Sequence, residues 1–192
     1  KVIEAFETSA AKSLNWQYKH YPNENHFTTA LPAIYDGLQF LAPNYAIDGT
    51  DMLALGDYKQ VFAHFKAQKK QWAGFQFEWL HSYQFNKYLF WSKQIDQVDE
   101  ILVELAAEFP ESLTLVTIHL ASGFNKKKNF PKALQLLQQV KKQGESFPGW
   151  HKQMSVYYSG TEQAELAAKH QALALELAKK YHFESWEVWE LM

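Results

Sequence analysis

A chain of 192 residues, 47% apolar and 16% aromatic, has the material for one sizeable core or two small domains, and its composition excludes a disordered polymer. Net charge is -2 and every one of the 19 basic residues is a lysine, so the guanidinium fork that clamps phosphates and reads guanine edges is missing and no nucleic-acid partner is expected. Cysteine is absent, which removes disulfides, thiol nucleophiles and thiolate zinc sites. No apolar run approaches the roughly 20 residues that cross a bilayer, so no membrane span is expected.

The first elements read in order. Val2, Ile3, Phe6 and Ala10 form a helical stripe. The chain opens at Lys1 with that helix under way and shows no signal peptide, which suggests that its natural N-terminus lies upstream. From Leu14 to Tyr21, Leu14, Trp16 and Tyr18 alternate with Asn15, Gln17 and Lys19, a strand pattern that Pro22 and Asn23 stop. A single strand makes no sheet, so its partners belong to another chain or to polypeptide outside this one. Thr28 or Thr29 can cap a second helix with Pro32 in its first turn. Leu31, Ile34, Tyr35, Leu38 and Leu41 give that helix one apolar face, and Pro43 ends it.

Residues 43–56 carry the composition of a linker, and from Asp57 onward the chain reads as helical throughout. A helix to Gln71 and a break at Gly74 lead into the aromatic run from Trp72 to Trp91, best explained as helix–helix core and as a seam against the first segment. Val98, Leu102 and Leu105 recur as Ala133, Leu137 and Val140, 35 positions on, and Ala168, Ala172 and Leu175 continue the spacing more weakly. Tetratricopeptide units repeat every ~34 residues as helix–turn–helix pairs. Asn129 and Pro131 suit a helix start, Lys141, Lys142 and Gly144 its end, and Gly160-Thr161-Glu162 the start of the next. Lys126–Lys128 read as a solvated turn. The final FESWEVWELM, 183–192, reads as a helical cap on the last repeat.

The eight histidines include no HExxH-like pair. His64, His81, His119, His151 and His170 fall inside helices, where packing explains them, so no metal site and no cofactor are expected. His26 differs, because it sits in a polar loop between the aromatic strand and the LPAIYDGLQFL helix. The order of NWQYKHYPNENH at 15–26 and LPAIYDGLQFL at 31–41 resembles the C-terminal end of the bacterial putative esterase family, α/β-hydrolases that include siderophore esterases and esterase D-like proteins. Some members of that family also carry a tetratricopeptide-like helical extension.

The resemblance implies that His26 is the base of a Ser-His-acid triad. An imidazole with a pKa near 6.5 can take a serine proton and return it to the leaving group. No G-x-S-x-G occurs here. ASGF at 121–124 lies inside a repeat and lacks the framing glycines, so the serine and acid are expected upstream. The expected fold is mainly α: stacked tetratricopeptide-like helix pairs over 46–192, preceded over 1–45 by the last helix-strand-helix remnant of an α/β-hydrolase domain. The expected function is the C-terminal part of a serine esterase, inert by itself, whose partner is the N-terminal catalytic portion of the same protein. The alternative is a helical-repeat module for binding a protein or for self-association.

Overall fold

A computed structural model describes residues 1–10, 12–43, 45, 47–72 and 74–181. The fold is mainly helical, and the described residues contain no β-strand. The backbone divides into two compact units, Lys1–Tyr45 and Ala46–Met192.

The first unit holds helix α1, Val2–Ser9, and helix α2, Ala30–Leu41. Neither helix has a buried residue. Between them Leu14–Tyr21 carries no helix and no turn, and the backbone groups of residues 14–20 bond to no other described backbone. The expected strand is therefore not formed as a strand, because a strand exists only through its neighbour's N–H and C=O groups and the described residues of 1–45 supply no neighbour. A Phe6–Trp16 ring contact at 5.3 Å ties α1 to this segment.

The second unit begins inside the supposed linker, where helix α3 spans Gly49–Leu55. Asp48 accepts from the backbone N–H of Thr50 and Asp51, and the Asp51 carboxylate accepts from the Asp48 N–H, a reciprocal cap that starts a helix in turn-like text. Asp57 and Gln60 repeat the device at the start of α4, Tyr58–Gln71. Next come α5, Trp79–Trp91, and α6, Val98–Glu108. After them lie α7, Leu113–Lys126, and α8, Phe130–Gln139. A four-residue turn of helix, α9 (Lys141–Gly144), leads to α10, Pro148–Gly160, and α11, Ala164–Lys180.

The core of this unit is aromatic. Phe62, Phe65, Phe77, Phe85, Tyr88 and Phe109 are almost or wholly without exposed surface. Phe65 meets Phe77 edge-on at 4.6 Å, and Phe77 meets Phe85 at 5.5 Å and Phe109 at 5.8 Å. The aromatic run thus supplies core, as expected. Around it a polar chain fastens the helix ends: Gln94 accepts from the Tyr58 N–H and donates to the Tyr88 hydroxyl, which donates to the Gly56 carbonyl.

Helices α5, α7 and α10 begin at residues 79, 113 and 148, 34 and then 35 positions apart. Helix α7 lies against α5 and α10, α8 folds back on α7 and touches α10, and α11 folds back on α10. Val98, Leu102, Leu105, Ala133, Leu137 and Val140 are all buried, as the 35-residue spacing requires. The third set is displaced: Ala168 and Ala172 face water while Ala167, Ala174 and Ala178 are buried. From Ala133 and Val140 the step is 34, and one residue too many turns the face by about 100°.

A helix does stop at Gly144, as expected, but for another reason, and one expected helix start moves. Gly144 lies under the indole of Trp150, where an added Cβ would sit 2.4 Å from a ring carbon. Close approach, not a left-handed cap, requires the glycine there. Gly160-Thr161-Glu162 closes α10 instead of opening α11, with the Thr161 hydroxyl donating to the Tyr157 carbonyl and Glu162 in the left-handed region at φ 61°. Asn129 does cap α8, accepting from the Lys132 N–H, with Pro131 in the first turn. The segment 183–192 expected to cap the last repeat lies outside the described residues.

Truncating Phe65 to alanine should cost about 3–5 kcal/mol, the range for a filled aromatic core site. Phe27→Ala, at a ring 90% exposed, should stay within about 0.5 kcal/mol. Urea unfolding of both variants measures the difference.

Candidate functional site: the His26 loop

The loop that carries His26 is built by Asn25. Its side-chain oxygen accepts from the backbone N–H of Phe27 at 2.8 Å and of Thr28 at 3.3 Å. Its own N–H donates to the Thr28 hydroxyl at 3.0 Å, and its carbonyl accepts from the Thr29 hydroxyl at 2.6 Å. Asparagine favours such turns because its short amide imitates a backbone group. Thr28 and Thr29, the expected caps, instead bond back to Asn25, and α2 begins without a side-chain cap. The missed signal was Asn25 itself, three residues before Thr28.

The result is a fastened turn with His26 at its tip. The imidazole is exposed and meets the Phe27 ring edge-on at 5.3 Å. Among the described residues no carboxylate orients it and no hydroxyl hydrogen-bonds to it. A solvated imidazole in this setting can exchange protons with a group brought to it, but by itself it activates no nucleophile.

Beside the loop, residues 17–21 face α2 across a shallow cleft of about 310 Å³ that Lys19, Tyr21, Asp36, Gly37 and Phe40 help to line. The Tyr21 hydroxyl donates to Asp36 Oδ2 at 2.6 Å, and Lys19 Nζ lies 2.5 Å from the same oxygen. Lys19 first, and Tyr21 second, hold the Asp36 carboxyl below its usual range. The hydrogen bond to Asp36 pushes the Tyr21 phenol up to about 12. This trio holds the segment 17–21 to α2 where no sheet does, and sequence spacing had not linked the three residues.

His64, His81, His119, His151 and His170 lie in helices, as expected. His119 Nδ1 is hydrogen-bonded to Ser82 Oγ between α7 and α5, with the Trp79 and Tyr83 rings around it. Burial, reinforced by Lys126, lowers the His119 pKa to about 4. Ser82 is fully buried and also donates to the Trp79 carbonyl, so its hydroxyl is engaged within the helix packing, while His119 is half-buried. His151 and His170 meet across α10 and α11. ASGF lies within α7, with Gly123 against the Phe90 ring, far from the geometry of a nucleophile elbow. Among the described residues no group of three or more His, Asp or Glu side chains is placed to hold a metal ion, and no helix is long and apolar enough to cross a membrane.

No protein-family model, curated protein or solved structure matches the chain.

The phenol of Tyr21 should titrate near 12 in an ultraviolet pH titration resolved by difference against Tyr21→Phe. Asp36→Asn should bring it back toward the ordinary tyrosine value of about 10. His119 should remain neutral at pH about 5, where an ordinary imidazole is charged, in an NMR titration of its ring carbons.

Proposed function

We propose that residues 1–45 are the closing segment of a serine esterase or related acyl hydrolase of the α/β-hydrolase class. His26 is its general base, and the serine and acid are carried by an upstream catalytic portion of the same protein. Residues 46–192 are then a tetratricopeptide-like helical accessory domain. The observation that supports this reading is the unfinished state of the first unit. Leu31, Ile34, Leu38 and Leu41 of α2 are each at least 60% exposed, and nothing among the described residues of 1–45 covers them. The neighbouring 14–20 stretch has strand composition and an unpaired backbone. An uncovered helix face and an unpaired strand are what the rim of a sheet-and-helix core looks like when its centre belongs to other residues. The histidine loop joins the two, at the place where a base follows the last strand of such a sheet.

In this role the imidazole takes the proton of the serine as it attacks the ester carbonyl and returns it to the departing alkoxide. The second unit's 34- and 35-residue helix spacing supports the accessory-domain part of the reading.

One observation favours a second role for the helical unit, as a protein-binding or self-association module. A cleft of about 610 Å³ opens along it, with Glu78, Trp79, Glu111, Gln143 and Phe147 among its lining. Trp79 and Phe147 are both exposed, although each carries a ring suited to a contact surface.

The esterase reading is checked with the complete coding sequence. The full protein should hydrolyse p-nitrophenyl acetate, and His26→Ala should lower kcat by about 10²–10⁴-fold, the span of general-base catalysis. The 192-residue chain alone should show no turnover. Full activity in the His26 variant would remove His26 from the mechanism. A binding role for the cleft predicts that Trp79→Ala with Phe147→Ala changes the particle mass in light scattering while the thermal midpoint holds.

A further inference from the structure

The last helix pair is joined by two imidazoles. His151 Nδ1 lies 3.0 Å from His170 Nδ1, and His151 Nε2 lies 3.0 Å from the Glu145 carbonyl oxygen. A carbonyl only accepts, so His151 Nε2 carries a hydrogen. In neutral His151 the Nδ1 lone pair is then free, and it accepts from the Nδ1–H of His170. One added proton leaves this bond intact, because a charged ring on either side still meets a lone pair on the other. A second proton places N–H against N–H and two like charges about 3 Å apart, where the bond becomes a repulsion.

We propose that His151 and His170 form an acid-sensitive latch that holds α11 on α10 at neutral pH and releases it when both rings are charged.

The surroundings favour the latch over a simple surface pair. His151 is buried, His170 is half-buried, and the Trp150 and Tyr158 rings flank them at 5.1 Å from His151 and 5.3 Å from His170. Burial lowers both imidazole pKa values. Glu145, after α9, favours the charged forms, whereas Lys169 on α11 and the neighbouring His151 oppose charge on His170. Among the described residues α7 and α8 bring no charged group to bear on the pair. Further ties across this hairpin include the Ser155 hydroxyl to the Ala167 carbonyl at 2.9 Å and Lys152 to the Gln171 amide at 3.4 Å. Serine does not titrate, and burial lowers the Lys152 pKa from the ordinary lysine value. The histidines are the groups at this contact whose ordinary range spans about pH 5 to 7.

Linkage sets the direction. A folded-state pKa below the unfolded one means that the unfolded helix binds more protons, so the stabilisation is complete above about pH 6.5 and is lost as pH falls toward the folded value.

Hydrogen exchange on the whole chain, corrected for intrinsic rates, tests this at pH about 7 and about 5. Protection of α11 relative to α7 should fall several-fold in acid, since burial lowers both imidazole pKa values. In His170→Gln the amide can either donate to His151 Nδ1 or accept from it, so the charge-on-charge contact is gone and that fall should shrink to the part carried by buried His151 alone. Equal loss in wild type and variant, or no loss in wild type, would overturn the latch. Should His170→Gln fail to fold, NMR titration of the wild-type imidazoles decides. Coupled steps, the second well below the first, support the latch, and two independent single steps near 6.5 refute it.

Discussion

An amphipathic helix has one face that water does not solvate, and the second unit is organised around covering such faces with other helices. Its first helices solve the problem with phenyl rings. Phe62 and Phe65 on α4, Phe85 on α5, Phe77 between them and Phe109 after α6 pack ring against ring, tilted or edge to face, and each is buried. Later helices solve it with smaller residues: Leu136, Leu137, Ala174 and Ala178. Across α10 and α11 these small residues sit beside polar ties, the Ser155 hydroxyl to the Ala167 carbonyl and one imidazole to the other.

The same constraint goes unmet in residues 1–45. Here the apolar positions are as regular as anywhere in the chain, but no residue of α1 or α2 is buried. What order exists is polar: the Asn25 turn and the Lys19, Tyr21 and Asp36 trio. Polar ties can set the path of a chain, but they do not replace a core, since an exposed ion pair contributes little against water. The functional reading rests on this contrast between regular apolar patterning and the absence of anything to receive it.

Helix content and the main breaks were legible because they depend on local chemistry. Asp57 before α4, Pro43 after α2 and Asn129 before α8 each act on their own neighbours. Asp48 escaped notice because Gly49 and Thr50 beside it read as a turn, although Asp51 completes the cap. Gly144 looked like a helix terminator, yet its reason lies in Trp150, whose ring fills the space a side chain would need. The third repeat was placed one residue out because a 35-residue period, fixed by the first two, contracts to 34. Strand composition at 14–21 was readable, whereas pairing depends on partners that residues 1–45 do not contain. At the candidate site the histidine was visible in the text. Asn25, which fastens its turn, was not, since its four bonds depend on how the backbone folds over residues 25–29.

The unpaired ribbon at 14–20 has a practical consequence. Open N–H and C=O groups beside oily side chains form an adhesive edge on which another molecule's backbone can zip. Two copies meeting there would join strand to strand without any help from the helical stack. A dimer seen for this chain in solution therefore says nothing about the repeats until the ribbon has been blunted, for instance by a proline in place of Gln17.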